Sequence, residues 1–92
     1  TTLVPAQNVN HMVMNKGKYL MRKTEEITDP ASCLNKAQPG ELVFVLRGKD
    51  PAAPEAIRNW AHQRVRLGLN KLHDQKIIDA IECAALMDLE RQ

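Results

Sequence analysis

The stretch Glu41-Leu42-Val43-Phe44-Val45-Leu46-Arg47 sets five apolar side chains in a row between Pro39-Gly40 on one side and Gly48 on the other. β-Branched and aromatic residues favour extended backbone, and turn residues at both ends bound a run of strand length. Successive side chains of a strand point to opposite faces, so apolar residues on both parities predict a strand covered on both sides. The expectation is an α+β fold: a short sheet around a buried central strand over residues 41–47.

The residues C-terminal to this stretch are expected to cover it. Lys49-Asp50-Pro51 turns the chain, and Pro54 suits the first position of a helix over 54–67, where its missing N–H costs nothing. Ile57, Trp60, Ala61 and Val65 recur on one face of that helix. Gly68 supplies a left-handed stop, with Leu69 folding back in a Schellman ending. A second helix over 72–89, with Asn70 as a cap, carries the stripe Ile77, Ile78, Ile81, Ala84, Ala85 and Leu89. Two amphipathic helices joined by so short a link predict an antiparallel hairpin lying over the strand. Trp60 is expected to be buried against Phe44 or the second helix.

The preceding sequence is less patterned. Thr28-Asp29-Pro30 resembles a helix start, predicting a short helix over 30–37 that ends at Pro39-Gly40. Lys18 to Ile27 has a broken alternation that reads as a strand, and residues 1–17 have no period and read as an extended N-terminal arm. With 92 residues the chain has material for one core, so residues 18–92 are taken as a single small domain.

Chemistry has few places to gather. His11, His62, His73, Cys33 and Cys83 include no pair at the short spacing by which local metal ligands are supplied. The two cysteines, fifty positions apart, read as reduced thiols. Ser32 has no nucleophile-elbow context, and Cys33, near a helix start, is more simply a small packing residue. The four glycines are isolated and form no phosphate-binding loop. Asp74, Asp79, Glu82, Asp88 and Glu90 read as a solvated face of the second helix. No catalytic residue, cofactor or metal is therefore expected, and the chain reads as a non-enzyme. The longest apolar run is too short to cross a bilayer, so no membrane association is expected. No basic n-region followed by an apolar stretch marks a secretion signal.

Charge is uneven. Residues 54–71 hold Arg58, Arg64, Arg66 and Lys71 against Glu55, a net +3, whereas residues 72–92 are net −3 and the whole chain is +2. Arg47, Lys49, Arg58, His62, Arg64, Arg66 and Lys71 are thus the candidate contacts to a partner or to phosphates. A plainer account is charge complementarity across the hairpin.

Phe44-Val45-Leu46-Arg47, the Asp50/Ala53-Pro54 turn and Trp60-Ala61, followed by Ala84, Ala85 and Met87, resemble a group of small phage and prophage proteins of unassigned function. The resemblance covers about half the chain. It implies a phage context, a setting in the host cytoplasm or the virion, and no catalytic residues. With the arm available to order on a neighbour, the expected function is that of a non-enzymatic phage accessory or virion-associated protein. It would act through protein binding or self-association; nucleic-acid-binding regulation through the basic helix is the alternative.

Overall fold

A computed structural model of the chain describes residues 17–91. Among them the regular elements are four helices: α1 (Lys23–Thr28), α2 (Cys33–Lys36), α3 (Ala53–Arg66) and α4 (Gln75–Arg91). No β-strand occurs among the described residues, so the fold is helical and the α+β expectation is overturned. Residues 41–47 form no regular element and pair with no strand among the described residues, and their apolar side chains stand in water: Leu42 is 97% exposed and Phe44 87%. Only Leu46 is half-buried. An extended run needs neighbours for both its backbone groups and its two faces. The described chain provides no second strand, and the two long helices spend their contact on each other.

The hairpin itself is present. Pro54 enters the first turn of α3, and Asp50 organises the approach by accepting the Ala52 amide on Oδ1 and the Ala53 amide on its carbonyl. At the far end Gly68 has a φ of 76°, a left-handed conformation costly to any residue with a Cβ. The Gly68 amide donates to the Val65 carbonyl and the Leu69 amide to the Arg64 carbonyl, the paired bonds of a Schellman ending. The second helix, expected over 72–89, begins only at Gln75 and runs to Arg91, so Asn70 does not cap it and links the two helices instead. Its Oδ1 accepts from Arg64 Nε at 2.7 Å and its Nδ2 donates to Asp74 Oδ2 at 3.0 Å, so one amide ties the end of α3 to the start of α4.

Small residues make the hairpin contact. Ala53, Pro54 and Ala61 on α3 and Ile77 and Ala84 on α4 are buried, and alanines at a helix crossing let the backbones approach closely. The buried stripe of α3 runs Pro54, Ile57/Arg58, Ala61, Arg64/Val65. That rotation leaves Trp60 41% exposed on its flank, with the Arg64 guanidinium 5.7 Å from the ring centroid, contrary to its expected burial. Likewise α4 buries only part of its expected stripe: Ile78, Ile81 and Leu89 stay between 43% and 62% exposed.

The region expected as a strand is a turn at residues 18–19 followed by α1. The short helix expected over 30–37 is α2, and its cap is Ser32 rather than Asp29. Ser32, 1% exposed, donates Oγ to the Glu26 carbonyl and accepts the Asn35 amide. Asn35 Nδ2 in turn donates to the Glu26 and Asp29 carbonyls, and Glu26 Oε2 accepts the Leu34 amide. The α1–α2 corner is thus held by polar groups that satisfy one another rather than by apolar burial. Residues 1–16 of the expected arm, with His11, lie outside the described residues.

Candidate functional site

The carboxylates expected on a solvated face of α4 are mostly structural. Asp79 is 1% exposed; its Oδ2 accepts the Tyr19 amide at 2.8 Å and its Oδ1 accepts from Gln75 Nε2 at 2.7 Å. Gly17 packs so closely on this carboxylate that a Cβ there would overlap it. Lys18 and Lys76 place their ammonium groups 5.1 and 5.7 Å from the centroid of the Tyr19 ring. Further along, Arg22 forms a two-pronged pair with Glu90 at 2.9 and 2.6 Å. The stretch from Gly17 to Arg22 is therefore strapped to α4 at both ends. The Arg22 pairing holds the Glu90 carboxyl below its ordinary range, while burial pushes the Cys83 thiol up.

Of the candidate basic residues, Arg58 is spoken for within the fold. Its Nη2 meets Asp88 Oδ2 at 2.7 Å and its Nη1 meets Glu55 at 3.3 Å, and the hydrogen bond to Arg58 depresses the Asp88 carboxyl. This is the complementarity across the hairpin that the sequence charges foretold. Arg64 is engaged by Asn70 and Trp60, and Arg66 donates twice to Gln63 Oε1 on its own helix. His62 and Lys71 are exposed on α3 and the interhelical link, and Arg47 and Lys49 are exposed at the end of the apolar run. The candidate set is therefore divided among intramolecular roles and separate exposed positions.

Cys33 and Cys83 are free thiols, the first exposed and the second half-buried. No group of three or more His, Cys, Asp or Glu side chains positioned for a metal ion occurs among the described residues. An open depression of about 400 Å³ between Gly17, Lys18, Met21, Glu25, Thr28 and Asp29 is lined by groups already used locally: Thr28 Oγ1 donates to the Thr24 carbonyl and Glu25 Oε1 accepts the Arg22 amide. No described helix is long and apolar enough to cross a membrane.

The feature with unspent binding capacity is the apolar run 42–46. Leu42, Phe44 and Val45 are between 70% and 97% exposed, Val43 is half-exposed, and no backbone group of residues 42–46 is hydrogen-bonded among the described residues. The run is anchored on both sides. The Glu41 amide donates to the Gln38 carbonyl while Glu41 Oε1 accepts the Gln38 amide, and the Asp50 amide donates to the Arg47 carbonyl. Sequence reasoning found this run by its hydrophobicity but assigned it to the core; the missing signal was a second strand to pair with it.

No protein-family model, no curated protein and no solved structure matches this chain.

Proposed function

We propose that this chain is a non-enzymatic protein-binding module, with residues 41–47 as its binding element. The accessory or virion-associated setting rests on the resemblance to phage and prophage proteins. The observation that carries the binding reading is the run itself: apolar throughout residues 42–46, largely exposed, and with its backbone donors and acceptors unpaired among the described residues. Pairing such a run with another strand covers both its apolar side chains and its polar backbone. Exposed apolar surface of this density is uncommon away from interfaces.

The test places a photoreactive phenylalanine analogue at position 44 of the full chain in the cells that carry it. A protein adduct, whether to a second copy or to another protein, is expected at position 44 and absent from the same analogue at exposed Asn59. An absence of any adduct at position 44 overturns the reading. Nucleic-acid binding through α3 has weaker support, because Arg58, Arg64 and Arg66 all have intramolecular partners. It predicts gel retardation that weakens steeply with salt, and no retardation at low salt dismisses it.

A further inference from the structure

Resting on that reading, we infer that the partner of residues 41–47 is the same segment of a second copy, paired antiparallel about a two-fold axis through Phe44. The argument is the symmetry of the segment. In an antiparallel pair centred on Phe44, Leu42 faces Leu46 of the second copy, Val43 faces Val45, and Phe44 faces its own counterpart. Glu41 then faces Arg47 at both ends, and Gly40 faces Gly48 beyond them. Shifting the register by one residue separates Glu41 from Arg47, setting one of the two against a leucine and the other against a glycine, so charge selects the Phe44-centred alignment. A segment that complements itself in this way makes a closed, isologous contact, which limits assembly to a dimer.

The accessibility of each side chain fits this arrangement. Leu42, 97% exposed, is delivered onto the half-buried Leu46 of the second copy, and Phe44, 87% exposed, gains an aromatic neighbour on the axis. The Arg47 side chain is exposed and has no hydrogen-bond partner among the described residues. Glu41 uses Oε1 for the Gln38 amide, which leaves Oε2 available to a cation. Nothing lies within 4 Å of a Cβ position at Gly40, and Gly48 has only Met87 at 3.7 Å, so both ends of the run admit an approaching strand. The two-stranded contact is at the small end of the interface scale, where association is weak, so self-association is sought over about 1–100 μM.

Sedimentation of the full chain across that range, with charge exchange, tests the inference. Glu41→Arg and Arg47→Glu each set like charges opposite one another at both ends of a homodimer, and each is expected to weaken self-association about tenfold. Mixing the two variants restores opposite charges at both ends, and a one-to-one heterodimer is expected to form at wild-type strength. Phe44→Asp abolishes association, with an unchanged far-ultraviolet circular dichroism spectrum confirming that the helices remain. A monomer throughout the range overturns the inference, as does a dimer indifferent to Phe44→Asp. A dimer lost in Phe44→Asp but not rebuilt by the mixture overturns the Phe44-centred register. A monomer that still gives adducts to another protein from position 44 sinks self-pairing alone, whereas the absence of all adducts sinks the binding reading as well.

Discussion

The contact between α3 and α4 is built from alanines, a proline and an isoleucine, whereas the chain's densest apolar run, Leu42 to Leu46, stands largely in water. The two regions differ in what their backbones demand. A helix satisfies its N–H and C=O groups internally and needs only a side-chain stripe to bury, so two helices joined by a short link complete each other. An extended run carries unpaired donors and acceptors along both edges and stays incomplete until another strand arrives. Burial in this molecule follows the availability of a partner more closely than it follows hydrophobicity. The two most deeply buried polar residues, Ser32 and Asp79, make the same point, because each brings hydrogen bonds that replace water.

This contrast can be broken by substitution. Ile77→Ala, in the hairpin contact, is expected to cost about 2–5 kcal/mol in denaturant titration, a large share of a small domain's stability. A loss under about 1 kcal/mol would place the core elsewhere. Gly17→Ala, which sets a methyl group against the buried Asp79 carboxylate, should cost about 1–3 kcal/mol and raise amide exchange at Tyr19. Unchanged protection at Tyr19 would show that the 17–22 stretch does not depend on this approach. Trp60→Ala should cost about 1–2 kcal/mol, below the roughly 3–5 of a fully buried aromatic, because the ring is partly in solvent.

Acid sharpens the comparison from another side. The folded Asp88 and Glu90 carboxyls are held below their ordinary values by Arg58 and Arg22. Their contribution is present above the ordinary carboxylate range and is lost as pH falls through the depressed folded values. Thermal melts between neutral pH and about pH 2 should show a downward limb that flattens in Asp88→Asn/Glu90→Gln; identical limbs would assign the acid response to other groups. The smallest expected effect is the most telling. Phe44→Asp should change the stability of the dilute, monomeric chain by no more than about 0.5 kcal/mol, although it removes the largest side chain of the most apolar run. A loss of several kcal/mol would mean that residues 41–47 are covered within the chain.

Local signals carried the helical half of the fold. Pro54, Gly68, the stripe through Ala61 and the spacing of Ile77 and Ala84 specify two helices and an antiparallel turn, because caps, breakers and three-to-four-residue spacing act within a few positions. The opposed charges of residues 54–71 and 72–92 likewise foretold the Arg58–Asp88 bridge. The same local logic misplaced residues 41–47, since propensity reports that a run will be extended and says nothing about whether a neighbouring strand exists.

Tertiary structure alone decided the rest. Tyr19 meets Asp79 across 60 positions and Arg22 meets Glu90 across 68, and no periodicity in either segment announces these pairings. The rotation of α3 that leaves Trp60 on the flank was settled by how closely alanines let two helices approach, a property of the pair and not of either helix. The sequence by itself determined the start and stop of the first long helix and the turn after it, because those choices satisfy hydrogen bonds between residues a few positions apart. Which apolar surface was covered and which was left exposed depended on contacts between segments far apart in the chain, and only the folded arrangement supplied them.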